Sequence, residues 1–303
     1  MRFVQAILLL KLVMIVMASS SAVANEFYQI SANVGNEANV PRGVDSAHEV
    51  ESGFVQFSAT AGKFFQLGLN DSLTLSGNLS GTHYNGTKGY SNLNAGVQGE
   101  LAHKFGFGAY APRVSLVLAA NQQLMRGEAR DVQSLSAQFA LHKRFTPALL
   151  LGVGIDYQDN DSPSLDAGTF TGAPGYAPGI MQPFEIFDYH ASAWFVEGEY
   201  SFENGLLLQG SYRKIDGGTV SSTTAPSLKL YKIARALFND PGFDSGWFAY
   251  LLDADTKEWS AGLSIPVDID SAISLRATWH DSDAFGGGNY KNSILSLGYV
   301  HNF

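Results

Sequence analysis

Nine charged residues of this chain, Glu100, Arg113, Arg144, Asp156, Glu197, Glu199, Arg213, Glu258 and Arg276, stand in stretches where polar and apolar residues alternate. Carboxylates and guanidiniums gathered on one face of a wall can brace it through ion pairs, or line a path and sort solutes by charge. A third chemistry, proton transfer, would call on the seven histidines. His280 with Asp281 and Asp283 makes the best constellation, because a neighbouring carboxylate can orient a histidine as a base. Its spacing is not a hydrolase signature. His190 and Ser192 share a strand face, but two residues along a strand span ~7 Å, too far for direct activation. Asp159, Asp161, Asp166, Asp281 and Asp283 lack the spacing of a calcium loop. The chain has no cysteine for a thiolate site, and no metal or cofactor is expected.

Strands must position these charges. Leu73, Leu75, Gly77, Leu79 and Gly81 alternate with Thr74, Ser76, Asn78, Ser80 and Thr82, and Leu135, Ala137, Phe139 and Leu141 with Ser134, Ser136, Gln138, His142 and Arg144. A period of two places each set on its own face. The same pattern predicts strands over 93–105, 113–123, 149–158, 206–213, 259–267, 273–280 and 293–303, with weaker signals at 28–34 and 50–65. Short turns at 69–72, 106–111, 146–147, 203–206 and 268–271 alternate with longer polar connections at 36–49, 86–91, 126–131, 159–188, 219–253 and 281–290. Five turns and six loops divide the chain into twelve strands, ten or fourteen being the alternatives. Tyr28, Phe105, Phe107, Phe145, Tyr157, Trp194, Tyr200, Phe202, Tyr212, Trp259, Trp279 and Tyr299 lie near predicted strand ends, where an interfacial aromatic belt would put them. Strand propensity alone also favours aromatics.

The two ends of the chain add independent signals. Arg2, the apolar run Phe3 to Met17 broken by Lys11, and the small-x-small triplet Ala22, Val23, Ala24 read as a secretory signal peptide cleaved after Ala24. With Arg2 and Lys11 removed, 17 basic residues face 28 acidic ones, a net charge of −11. A field of that sign excludes phosphate-backbone binding, so nucleic acid is not an expected partner. At the other end Leu295, Leu297, Tyr299, His301 and Phe303 occupy alternate positions up to the last residue.

That terminus resembles the closing strand of bacterial outer-membrane β-barrels, in which a terminal Phe, here with Tyr299 and His301, forms part of the insertion signal. The resemblance extends in pattern over residues 25–303 as one domain. It implies an all-β, antiparallel transmembrane barrel of about twelve strands with short periplasmic turns and long extracellular loops. It also implies contact with outer-membrane lipid and lipopolysaccharide, and with the barrel-insertion machinery through the C-terminal strand.

Within such a barrel the nine charges would face the lumen. A turn at Asn204, Gly205 and Leu206 is expected to set Glu197 opposite Arg213. Between 219 and 253 the sequence predicts a short helix, Ser227–Asn239, capped by Ser227, with Leu230, Ile233, Ala234, Leu237 and Phe238 as an apolar stripe. Lys229, Lys232 and Arg235 would then face anionic solutes at a constriction or pair with lipopolysaccharide phosphates outside. Phe243, Trp247, Phe248 and Tyr250 follow as an aromatic cluster suited to a ligand or partner protein, Trp247 and Tyr250 being the candidate contacts. The expected function is a porin-like channel for small hydrophilic solutes. The alternatives are a non-conducting scaffold, adhesin or envelope-assembly barrel, and a hydrolase at the rim.

Overall fold

The computed structural model describes residues 24–126, 130–162, 186–227, 230, 234–238, 240, 242–243 and 246–303. The signal peptide, Lys229, Lys232 and most of the 159–188 connection lie outside them. The strands are β1 (Ala24–Glu37), β2 (Ser52–Gln66), β3 (Asp71–Tyr84), β4 (Asn92–Lys104), β5 (Arg113–Met125), β6 (Val132–Arg144), β7 (Leu149–Asp161), β8 (Tyr189–Ser201), β9 (Leu207–Thr223), β10 (Arg235–Phe238), β11 (Phe248–Pro266), β12 (Ser271–Ala284) and β13 (Tyr290–Asn302). Twelve of them form a closed antiparallel barrel, with β13 paired to β1 and β9 to β11. The four-residue β10 hangs on the upper part of β11, Arg235 facing Leu251 and Phe238 facing Phe248.

Closure runs from Gln29 opposite Asn302 to Glu37 opposite Ile294. The last amide is used too, Phe303 N donating to Tyr28 O at 2.9 Å. Tyr299 and His301 share the outer face of this seam, where the Tyr299 hydroxyl donates to Ser271 Oγ at 3.0 Å and Ser271 Oγ lies 2.8 Å from His301 Nδ1.

The outward residues form an apolar band: Leu275, Leu297, Leu263, Val196, Val153 and Leu118 are examples, and Leu275, Leu297, Val196, Val153 and Leu118 are all exposed. A band of exposed leucine and valine around a whole molecule fits hydrocarbon rather than water. Its long-loop margin is drawn by a row of rings. Trp194, Tyr212 and Trp259 pack side by side in tilted contacts on β8, β9 and β11, with centroids 5.3 and 5.6 Å apart, and Trp279 faces Trp259 from β12. Above that row the same outward face turns polar, with His190 and Ser192, Lys214 and Asp216, Asp255 and Lys257, Asp281 and Asp283. Lys214 pairs with Asp255 at 3.4 Å and Lys291 with Asp281 at 3.8 Å. The rings are therefore a belt, but they sit inside their strands rather than at the ends. β9, β11 and β12 continue beyond it, because polar outward residues hide the end of the band, not of the strand, from a reading by hydrophobicity. A second set at the short-turn end includes Tyr28, Phe105, Phe145, Phe202 and Phe303, all exposed.

The predicted helix Ser227–Asn239 is corrected at 235–238; residues 228–229, 231–233 and 239 lie outside the described residues. Leu230 N donates to Ser227 Oγ at 3.4 Å and Ala234 N to Leu230 O at 2.9 Å. Residues 235–238 are strand instead, because the free edge of β11 above β12 offers ladder partners that outweigh a weak helical preference.

The belt generates a prediction. Leu297→Arg, below the rings, is expected to lower folding free energy in phospholipid bilayers by about 2–4 kcal/mol, whereas Asp283→Arg, above them, changes it by less than ~1 kcal/mol. Denaturant titration of bilayer-folded protein measures both.

Candidate functional site

Inside the wall, side chains from neighbouring strands meet in hydrogen-bonded rungs. Asn33 Nδ2 donates to Gln56 Oε1 at 3.3 Å and Gln56 Nε2 to Thr82 Oγ1 at 3.2 Å. Ser31 meets Ser58, Ser211 meets Ser260 and Thr256 meets Ser282 at 2.7, 2.7 and 2.8 Å. Among these neutral rungs stand the charges.

All nine charged candidates lie on the inward face of their strands, but they do not act alike. Arg113 pairs with Glu100 across β4 and β5. Arg213 does not pair with Glu197: the β8–β9 register sets Phe195 opposite Arg213 and Ser211 opposite Glu197, two residues away from the expected match. The hairpin is centred one residue earlier than assumed: Phe202 N closes on Leu206 O and leaves Glu203, Asn204 and Gly205 as the turn, so every cross-strand partner moves by two. Arg213 instead reaches over Ala193 to pair with Asp156 on β7, packs its guanidinium 5.6 Å from the Phe195 ring, and faces Glu258 across β11. Glu197 pairs with His142 at 2.7 Å and Glu258 with His280 at 2.9 Å.

The His142–Glu197 contact spans two strands, from β6 to β8, because β7 carries Gly152 at the crossing point. A Cβ there would come within 2.6 Å of His142 Cδ2 and 2.9 Å of Glu197 Cγ. This partner histidine was absent from the candidate set. An inward glycine flanked on both neighbouring strands by ionisable residues is the sequence signal that points to it.

Arg144 turns toward the adjacent hairpin and donates to Pro147 O at 2.9 Å, and Glu199 accepts a long 3.5 Å bond from Gln209. Arg276 has no carboxylate within ion-pair distance among the described residues and is exposed to the lumen. It lines two cavities of about 410 and 390 Å³, which also share Thr278 and Ile294 and so adjoin. His280 is drawn into this space by Glu258, while Asp281 and Asp283 point outward on alternate positions. The His280, Asp281 and Asp283 constellation is not assembled.

The long-loop end is packed. Arg130 is 3 % exposed and pairs with the fully buried Asp240 at 2.6 Å. Tyr90, Phe187 and Phe243, from three different loops, surround its guanidinium at 4.7, 5.0 and 5.1 Å. Burial pushes the Asp240 carboxyl up, against the pull of Arg130 and the Gly242 amide. Of the aromatic candidates, Trp247 stacks on Phe243 at 4.1 Å, and Tyr250 is fully buried with its hydroxyl accepting from Ser227 N at 2.9 Å. Tyr250 thus belongs to the core of this cap rather than to an open ligand site. Arg235 is exposed on β10.

Comparison with solved structures places this architecture. An outer-membrane channel from Pseudomonas putida F1 superposes with a TM-score of 0.56 at 11 % identity, covering 91 % of this chain and 95 % of that one. The fold is that of bacterial outer-membrane β-barrels. The NanC porin aligns with a TM-score of 0.46 at 9 % identity, over 90 % of this chain and 98 % of that one. No protein-family description matches the sequence, and no curated protein does. At these identities the likeness carries the barrel and leaves the chemistry to the residues above.

Two predictions follow from the bracing. Gly152→Ala is expected to destabilise the barrel by ~1–3 kcal/mol through overpacking, an effect that His142→Ala in the same chain largely removes. Asp240→Ala leaves Arg130 buried without its partner, at a cost of about 3–5 kcal/mol to the cap alone; limited proteolysis should then nick the loops while the barrel core stays resistant.

Proposed function

We propose that this barrel is a porin-like channel of the bacterial outer membrane, allowing passive diffusion of small hydrophilic solutes. The observation that carries the reading is the luminal space around Arg276, two adjoining cavities walled by amides, hydroxyls and ionisable groups of both signs. A lumen built only to be filled would close such space with side chains, as the smallest barrels do. Arg113 and Arg213 are each matched by a carboxylate, and His142 and His280 hold Glu197 and Glu258, so groups of both signs are spread around the wall while Arg276 stands without a carboxylate partner among the described residues. Mixed-sign pairing of this kind supports transit of neutral or weakly anionic solutes rather than strong charge selection. In this setting the C-terminal Tyr299, His301 and Phe303 would serve insertion, and Arg235 with Lys229 and Lys232 would meet lipopolysaccharide phosphate at the outer rim.

One observation favours a second reading. The packed cap around Arg130 and Asp240 covers part of the long-loop end, as it would in a non-conducting scaffold or adhesin that presents its loops. Planar-bilayer recording of the purified protein separates the two: discrete conductance is expected, and no current above background would sink the channel reading. In a conducting barrel, Arg276→Gln is expected to shift the chloride-to-potassium permeability ratio toward potassium by roughly fivefold, the effect of ~1 kcal/mol for one charge at close range in water. An unchanged ratio would remove Arg276 from the path.

A further inference from the structure

The first loop, residues 38–51, carries a feature that neither the channel reading nor the sequence uses. Arg42 has φ 54°, and it alone among the described non-glycine residues has a positive value. An L residue with a long side chain is strained there, and glycine or asparagine would sit more easily. The strain is held in place from several sides. Asn39, 1 % exposed, clamps the turn: its Oδ1 accepts from Gly43 N at 2.8 Å and its Nδ2 donates to Gly43 O at 3.0 Å. Arg42 N donates to Asn39 O at 3.1 Å. Pro41 O accepts from Ser222 N at 2.8 Å and Arg42 O from Ser221 Oγ at 2.7 Å. Those serines are on β9, which neighbours neither β1 nor β2 in the ring, so the loop reaches across the long-loop end to be fastened.

The backbone is thus fixed by hydrogen bonds, yet the residue is exposed. Its guanidinium is ringed by groups that can accept but do not neutralise. Nη1 donates to Thr219 Oγ1 at 3.4 Å, and that hydroxyl lies 3.2 Å from Tyr290 Oη. Tyr290, Tyr189, Tyr90 and Glu37 are within its electrostatic range. Glu37 is engaged elsewhere, accepting from Tyr84 Oη and Asn292 Nδ2 at 2.7 Å each. Among the described residues no carboxylate stands within ion-pair distance of Arg42. Glu37 and Tyr84 also line the larger luminal cavity, so the ring around Arg42 adjoins the path below.

A strained backbone that is over-determined by its surroundings marks a position where the side chain is wanted. We propose that Arg42 is the mouth-side recognition group for a small organic carboxylate: the guanidinium fork takes the carboxylate, and the hydroxyls of Tyr290 and Thr219 bond the neutral remainder. The proposal rests on the channel reading and deepens it, naming the solute class and the order of contact. The solute meets Arg42 first and Arg276, which lines both cavities, further in.

The test compares glucuronate with glucose as probes on the full-length barrel. Arg42→Asn removes the charge while keeping a residue that tolerates the left-handed conformation, so the turn persists; Arg42→Lys keeps the charge without the fork. In the wild type, glucuronate added on the long-loop side should block current more readily than glucose. Arg42→Asn should lower its association rate at least about tenfold, as loss of one charge-assisted contact implies, with glucose unchanged and Arg42→Lys intermediate. An unchanged glucuronate rate in Arg42→Asn, or equal loss for both sugars, would overturn the proposal. Calorimetric binding to detergent-folded protein reads the same comparison without conductance. Absence of current with preserved, Arg42-dependent glucuronate binding would therefore fail the channel and keep the site; absence of that binding would fail the site.

Discussion

Every part of this structure depends on one constraint: in hydrocarbon a strand edge cannot be left unpaired. The seam between β1 and β13 satisfies it up to the final amide of Phe303, bonded to Tyr28. Once the ring is closed, alternation along each strand divides the molecule into two environments. Leucine, valine and aromatic rings face out, while serine, threonine, amide and ionisable groups face in. The polar interior is then a consequence of closure and not a separate design, and its charges must find partners on the same inner surface or remain available to solutes.

Those partnerships are set by register and by what lies between. Arg213 and Asp156 meet over the small Ala193, and His142 and Glu197 meet over Gly152. Pairs that skip a strand tie three strands together, so they stiffen the wall more than neighbour pairs would. What is left is informative for the same reason. Arg276 in the lumen and Arg42 at the mouth are two cations that, among the described residues, the braces do not consume.

Much of the fold was legible in the sequence. The five short turns, the six longer connections, the twelve strands and the seam at Tyr28 all follow from period-two alternation and turn residues. The site was less so. Luminal facing could be read for all nine charges because facing depends only on parity. Partner choice could not, because a two-residue change in register keeps parity and replaces Glu197 by Phe195 opposite Arg213. The belt of Trp194, Tyr212, Trp259 and Trp279 was visible as aromatics but misplaced along the strands, since the pattern reports where the membrane ends. Arg42 left no trace: its importance lies in a backbone angle and in contacts to β9, both of which are long-range. The residues 235–238 were misread for a related reason, their strand being imposed by the free edge of β11.

The barrel divides a wet inner face from an apolar outer one. Since the chain has no cysteine, single cysteines can be placed without background. With the barrel in a bilayer, a charged, membrane-impermeant thiol reagent should modify Ser296→Cys and Ser274→Cys, which line the larger cavity. It should leave Leu295→Cys and Leu297→Cys untouched on the outward positions flanking Ser296. Equal labelling of neighbouring residues, or labelling of the leucine positions in preference to the serines, would contradict it.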